Sequence, residues 1–348
     1  MGLLERCVLV LHYYCNCRCI YCAFDSRVLG QGSPMLSMDD IVKIVRELHD
    51  IGIMYIDVAG GEPLLTPALT FSLLHLCLKH GIRVRLCTSG IDYYTLSKIV
   101  MKLMSTVGSR IVKELLEIHV WLSTLSSRRM SSLLNCYGEH ILDNKLYSIV
   151  KMSSLVKTCV RTVVSGLNYV EVPNIVEVCR RINVSEIMLV RVLPVGRARR
   201  NMSLIELKED DIVKFFNIVK VLVDKYGNYI KLSPSLDWLF LLDEKYLIRS
   251  TRCRCGIDSI VILPDGRAVP CIGYVDSSHT LGNVRENKII DILNGGEKRR
   301  FLEYRYSIVH ECSRCRFYNI CMGKCLKYRE HYGYDPICKT LQQDLKEE

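Results

Sequence analysis

From Arg6 onward the apolar residues come in two alternating textures. Short runs rich in Val, Ile and Leu are followed by longer stretches in which apolar positions recur every three or four residues. The first texture reads as strand, the second as a helix with one buried face. The pattern predicts a strand at 6–13, then a helix capped by Ser37, with Asp39 and Asp40 in its first turn and Ile41, Ile44, Val45 and Leu48 on one face. A strand at 54–59 runs into Gly60-Gly61-Glu62-Pro63. Thr66 and Pro67 open a helix that ends at Gly81. A strand at 83–88 meets Ser89-Gly90, a helical stretch covers 93–116, and a strand covers 117–124. Helix 141–153, strand 156–165, helix 169–182 and strand 186–193 complete six strand–helix units. Such alternation predicts an α/β fold with a parallel sheet, either an incomplete barrel or an open doubly wound sheet. In both, ligands gather at the C-terminal ends of the strands.

Beyond 193 the texture changes. Asp210–Tyr226 reads as a long helix with apolar positions 212, 213, 215, 216, 219 and 222. Leu236–Leu242, with Trp238 and Phe240, reads as core. Ile260–Leu263, the turn Pro264-Asp265-Gly266 and Arg267–Cys271 read as a hairpin. The charged tail 341–348 is expected to be loose.

The loops at the strand ends carry the unusual residues. Cys15, Cys19 and Cys22 follow the first strand with the spacing C-x3-C-x2-C. Three thiolates hold three irons of a cubic four-iron cluster and leave the fourth open to a small molecule. With 18 cysteines in the chain, the triplet alone could be accidental. Its place one strand before Gly60-Gly61-Glu62-Pro63 gives it weight. The glycine pair allows backbone to approach a ligand closely, and Glu62 offers a carboxylate to a ligand ammonium group.

Composition narrows the classes. The chain has 348 residues, 49% of them hydrophobic, enough for one large core or a large and a small one. No apolar stretch approaches the roughly 18 residues of a membrane span. Met1–Tyr14 lacks the basic and long apolar parts of an export signal, so a cytoplasmic protein is expected, in which clustered cysteines bind metal in preference to forming disulfides. Cys7, Cys17, Cys77, Cys87, Cys136, Cys159 and Cys179 are expected to be free small apolar residues, Cys17 a bystander in its loop. The formal charge is +10. Its one basic knot, Arg197, Arg199 and Arg200, has no interleaved aromatics, so neither a nucleic-acid nor a membrane partner is expected.

The segment Cys15–Cys22, with Tyr21 just before its third cysteine, followed by Gly60-Gly61-Glu62-Pro63, resembles the radical S-adenosylmethionine (radical SAM) superfamily over about residues 6–200. The resemblance implies a partial (β/α)6 TIM-type barrel and a [4Fe-4S] cluster whose open iron binds the amino and carboxylate groups of S-adenosylmethionine (AdoMet). One electron, supplied by a reductase or ferredoxin, then releases a 5′-deoxyadenosyl radical that takes hydrogen from a substrate. By the same resemblance Gly60, Gly61, Glu62 and Pro63 seat the methionine end, while Ser123 and Arg161 contact the ribose or carboxylate, with Asn168 a further candidate. Relatives read Ser-x-Asp-Gly at strand 4, where this chain has Ser123-Thr124-Leu125-Ser126.

The C-terminal cysteines resemble a SPASM domain, which carries two auxiliary clusters. The resemblance implies Cys255, Cys271 and Cys325 for the first, with either Cys253 as a fourth ligand or an open iron that could bind substrate, and Cys312, Cys315, Cys321 and Cys338 for the second. Three loaded clusters would subtract roughly 5 units of charge. Taken alone, the tail also reads as a pair of zinc sites. Leu193-Pro194-Val195-Gly196-Arg197 resembles a Pro-x-Gly-Arg turn of SPASM relatives. The expected organisation is a radical SAM core at 1–205, a bridge at 206–250 and a SPASM domain at 251–348. Such relatives mostly mature peptides or proteins, and that substrate class is expected here. The alternatives are a small molecule such as a haem precursor, or a zinc or iron–sulfur module without activity. Ile272 follows Pro270-Cys271, where the sulfatase-maturating branch has Asp, and this disfavours that activity.

Overall fold

The computed structural model describes residues 4–26, 34–136 and 140–347. Its first half alternates as the hydrophobic pattern predicts. β1 (Arg6–Val10), α1 (Met38–Asp50), β2 (Tyr55–Ala59), α2 (Pro67–Lys79) and β3 (Arg83–Thr88) lead to α3 (Tyr93–Thr106) and α4 (Ser109–Leu115). β4 (Leu116–Trp121), α5 (Ser127–Leu134), α6 (Ile141–Ser153), β5 (Lys157–Val164), α7 (Val172–Arg181) and β6 (Glu186–Arg191) follow. The start of α1 shows why the reading works. The Ser37 hydroxyl accepts from the Asp40 N–H at 3.1 Å, and the Asp40 carboxylate accepts from the Ser37 N–H at 2.9 Å. This closes a capping box above the buried Ile41, Ile44, Val45 and Leu48. The stretch read as one helix over 93–116 is two, because the chain breaks at Gly108 with φ +106°. α5 was not expected.

The second half holds α8 (Gly196–Ile205), α9 (Glu209–Tyr226), β7 (Ile230–Leu232), β8 (Ser259–Ile262), β9 (Arg267–Val269) and β10 (Gly282–Asn283). The last elements are α10 (Ile289–Asn294), α11 (Gly296–Ile308), α12 (Tyr318–Cys321), α13 (Leu326–Tyr332) and α14 (Pro336–Glu347). The tail expected to be loose is therefore helical as far as Glu347, anchored by the buried Ile337 and Leu341. Trp238 and Phe240 are buried, as core residues should be.

All ten strands form one sheet, in the order β10-β9-β8-β1-β2-β3-β4-β5-β6-β7. From β8 to β7 the neighbours are parallel, and β8, β9 and β10 are antiparallel. Six strands give the partial barrel. β7, from the bridge, extends one edge. β8, from the cysteine-rich half, extends the other by pairing with β1 from Arg6↔Ser259 to Leu9↔Ile262. Helices cover the outer face, while the inner face carries the buried polar side chains of Asp57, His119 and Arg161. No helix of the described residues is long and apolar enough to cross a membrane.

Candidate functional site

The cysteine loop lies directly on the turn after β2. The Gly61 N–H donates to the His12 carbonyl at 2.8 Å, and the Glu62 N–H to the Tyr14 carbonyl at 2.7 Å. A Cβ on Gly61 would lie 1.6 Å from the Tyr14 oxygen, and one on Gly60 2.5 Å from the His12 oxygen. The glycine pair thus admits the cysteine loop itself, a role the sequence reading had given to a ligand. Glu62, only 2% exposed, is held at both carboxylate oxygens. Leu64 N–H (3.1 Å) and Thr88 Oγ1 (2.7 Å) donate to Oε1, and Ser89 N–H (2.6 Å) to Oε2. A carboxylate accepts about four hydrogen bonds, so room for one more donor remains. Pro63 starts the short turn 63–65 and its carbonyl accepts from Thr70 Oγ1 at 2.6 Å.

Cys15, Cys19 and Cys22 are unpaired thiols. Burial first, then Glu62 and the Cys22 thiol, push the Cys15 thiol up to about 12. Burial, then the Cys22 and Cys15 thiols, raise Cys19. Arg197 fastens the end of the loop: its guanidinium donates to the Cys19 carbonyl at 3.1 Å and its N–H to the Cys22 carbonyl at 2.9 Å. The Pro-x-Gly-Arg segment is therefore a brace for the cluster loop, and Gly196 begins a helix.

Cys17 is not a bystander. It forms a disulfide with Cys136, 119 residues away. The two residues face one another across an isolated antiparallel bridge, flanked by the Arg18 N–H on the Leu134 carbonyl and the Ile20 N–H on the Leu133 carbonyl, both at 2.9 Å. The remaining cysteines of that expected group, Cys7, Cys77, Cys87, Cys159 and Cys179, are free and buried.

Ser123 ends β4 at the rim. Its hydroxyl accepts from Tyr21 Oη at 3.1 Å and from the Val163 N–H at 3.3 Å. Asn168 precedes the short 3-10 turn Tyr169–Glu171, but its side chain makes no capping hydrogen bond to it. Its side-chain amide donates to the Ser123 and Val163 carbonyls, each at 2.7 Å, and clamps the ends of β4 and β5 together. Arg161 points into the barrel. Its Nε donates to His119 Nδ1 at 2.8 Å, and Nη2 lies 3.8 Å from Asp57. His119 Nε2 lies 3.0 Å from Glu117, which assigns the ring proton to Nε2. Burial and then Arg161 push His119 down to about 4. Burial would raise Asp57, but Arg6, Arg161 and Arg85 together hold it well below the usual carboxylate range. Glu117, His119 and Cys159 have ligand atoms within 4.8 Å of one another. Both His119 nitrogens are already engaged, so this group is a hydrogen-bonded relay.

The C-terminal cysteines gather into two sets. Burial raises Cys255, and Cys271 and Cys253 raise it further. Cys325 is raised by burial, Cys253 and Cys271. Arg305 reaches Cys253 Sγ at 3.7 Å and the Cys253 carbonyl at 3.2 Å, so Cys253 faces this set. In the second set burial raises Cys338 to about 12, with further contributions from Cys321 and Cys312. Cys312 in turn feels Cys315. Among the described residues no three of these cysteines bring their sulfurs within 4.8 Å of one another. A tetrahedral zinc site needs sulfurs about 3.8 Å apart. The donor sets are all thiol, with Cys255 and Cys321 buried and the other six half-buried, a donor chemistry that fits iron–sulfur clusters.

Lys145, on α6, was missed by the sequence reading. It is a buried lysine whose neighbours are Cys19, Glu62 and Cys15. Its helical spacing resembles that of any other exposed lysine, and only the tertiary fold turns it inward.

The radical SAM superfamily profile matches residues 9–179, and that of the SPASM iron–sulfur cluster-binding domain matches residues 253–316. The GTP 3′,8-cyclase of Clostridium perfringens (strain SM101) is 24% identical over 274 residues, 75% of this chain and 78% of its own. Among solved structures, Streptococcus suis SuiB bound to precursor peptide SuiA matches with a TM-score of 0.72 at 16% identity, covering 97% of this chain and 75% of its own. Native anSMEcpe with bound AdoMet and Cp18Cys peptide matches at 0.72 and 17% identity, covering 97% and 95%. At such identities the structural likeness shows the fold. With both profiles falling on the two cysteine-bearing regions, the chain belongs to the radical SAM superfamily, as an AdoMet- and [4Fe-4S]-dependent enzyme with a C-terminal SPASM domain.

Proposed function

We propose that this radical SAM/SPASM enzyme modifies a peptide or protein. When bound, the cluster and AdoMet supply a 5′-deoxyadenosyl radical that takes a hydrogen atom from the substrate. Cys15, Cys19 and Cys22 would hold that cluster. Gly60, Gly61, Glu62 and Pro63 would seat the methionine end, Glu62 accepting a hydrogen bond from its amino group in the one acceptor position the protein leaves open. Ser123, at the rim, is suited to the ribose or carboxylate. Arg161, engaged below the rim by His119 and Asp57, is better suited to fixing the barrel's inner charge than to touching the ligand. Cys253, Cys255, Cys271 and Cys325, and Cys312, Cys315, Cys321 and Cys338, would hold the auxiliary clusters, with a ferredoxin or reductase as electron source.

The observation that carries the peptide reading is a cleft of about 500 Å³ between the cysteine loop, the start of α8 and the C-terminal half. It is lined by Tyr13, Phe24, Asp25, Arg199, Arg267 and Asp276 among others. That mixture of rings and both charge signs suits a polypeptide better than a uniformly anionic or apolar small molecule. SuiB and anSMEcpe, which share the fold, have been solved with bound peptides. A second reading, a small-molecule substrate, is favoured by the cyclase relative.

The test is isotope transfer. Reduced holoenzyme with AdoMet and a deuterated peptide encoded beside its gene should yield deuterated 5′-deoxyadenosine. Label arriving from ribose-deuterated GTP, and none from any peptide, would replace the first reading with the second.

A further inference from the structure

The loop Cys15–Cys22 carries four cysteines, where a cluster with one open iron takes three. The surplus one, Cys17, stands midway between Cys15 and Cys19. Its N–H donates to Cys15 Sγ at 3.4 Å, so its backbone rests against a sulfur of the candidate cluster site. Its own sulfur is engaged elsewhere, in the bond to Cys136. The chain builds a scaffold for that bond. α5 ends at Asn135, whose left-handed backbone (φ +43°) turns the chain back toward the loop. The Arg18 N–H then donates to the Leu134 carbonyl and the Ile20 N–H to the Leu133 carbonyl, both at 2.9 Å. This short pairing sets Cys17 and Cys136 opposite one another, with Cys17 only 3% exposed.

A fourth thiol at this place is a hazard to the site. The open iron must keep its free position for AdoMet, and iron in such clusters takes thiolate readily. A thiol in the same short loop would compete at an effective concentration of roughly millimolar. It would lose its proton, bond the open iron and leave AdoMet no place. In the folded chain the loop is already held by the backbone bonds to Leu133 and Leu134 and by Arg197. What the disulfide adds there is occupation of the Cys17 sulfur. We propose that the Cys17–Cys136 bond is a positioning device for the core site: it commits the surplus thiol to a distant partner, so that three thiolates alone meet the cluster. This rests on the reading of Cys15, Cys19 and Cys22 as the cluster ligands. The selectivity is exerted against a wrong ligand and makes no contact with the right one.

The experiment measures AdoMet affinity by equilibrium dialysis on unreduced holoenzyme isolated without added thiol. It compares the parent, Cys136→Ser, Cys17→Ser and the double variant. Both single variants lose the same disulfide, so a purely structural cost is common to them, and only Cys136→Ser leaves a free thiol in the loop. Cys136→Ser should weaken AdoMet about tenfold, while Cys17→Ser stays within about twofold of the parent. Adding Cys17→Ser to Cys136→Ser should restore the affinity. Equal weakening in the two single variants, or none in Cys136→Ser, would overturn the proposal. So would recovery of Cys17 and Cys136 from the parent as separate alkylated peptides. Cys19→Ala checks the underlying reading: if it binds AdoMet as the parent does, the triplet is not the site and that reading fails. If it loses AdoMet while the two single variants stay alike, only the present inference fails. Should Cys136→Ser take up too little iron, the parent opened by a phosphine reductant is compared with Cys17→Ser treated in the same way.

Discussion

The cysteine loop and the C-terminal cysteines use the same ligand chemistry in opposite surroundings. Around Cys15, Cys19 and Cys22 stand groups that would face a ligand: the Glu62 carboxylate, the Lys145 ammonium and the Ser123 hydroxyl at the strand ends. Around the eight C-terminal thiols stand buried cations. Arg305 touches Cys253. Lys324, fully buried, feels Cys321 of one set and Cys253 of the other, and so sits between them. Arg191 and Arg329 are buried nearby, Arg191 paired with Asp335 at 2.8 Å. Three thiols with a polar cavity make an open site that a substrate can complete. On the proposed assignment, with Cys253 as the fourth ligand of one set, four thiols with compensating cations would make closed sites whose negative charge is balanced within the protein, as befits groups that pass electrons.

This contrast can be broken from either side. Cys19→Ala leaves two ligands at the open site and should lower AdoMet cleavage about a thousandfold or more, read as 5′-deoxyadenosine formed under dithionite. Cleavage persisting in a fully loaded variant would show the triplet is not the site. Cys321→Ala should act on the other region. Product formation should fall about a hundredfold while AdoMet cleavage stays within a few-fold, because the radical would form but its electron would find no path. Normal turnover would make the second set dispensable. Gly61→Ala sharpens the contrast by damaging one region through its backbone. Its Cβ would collide with the Tyr14 oxygen, so about one third of the bound iron should be lost, from the core cluster alone. The smallest effect belongs to Cys136→Ser. Opening a link that spans 119 residues should cost roughly 2–4 kcal/mol of stability in oxidised protein. A thiol reductant should abolish the difference in thermal midpoint between variant and parent.

What the sequence revealed and what it hid divide along physical lines. Elements set by local rules were legible: the capping box at Ser37, the helix end at Gly81 and the hairpin around Asp265-Gly266 each depend on residues a few positions apart. The two cysteine-bearing regions were legible because ligand spacing is a local signature, and the grouping of their thiols into sets came from family resemblance. Lys145, the pairing of Arg161 with His119 and Asp57, and the Cys17–Cys136 bond were not. Each is defined by a partner many residues away, and nothing in the neighbouring sequence distinguishes them from an exposed lysine, an exposed arginine or a spare thiol. The helical tail was missed for a related reason. Its charged residues read as loose, while Ile337 and Leu341 bury the opposite side.

The pairing of β8 with β1 makes the two halves inseparable in practice. A fragment ending near residue 250 would strip the neighbour from Arg6–Leu9 and leave that row of N–H and carbonyl groups bare, beside the very loop that carries the first three cysteines. Such a piece would be a sticky fragment prone to self-association, and any chimaera that exchanges the C-terminal half must bring along a replacement for Ser259–Ile262.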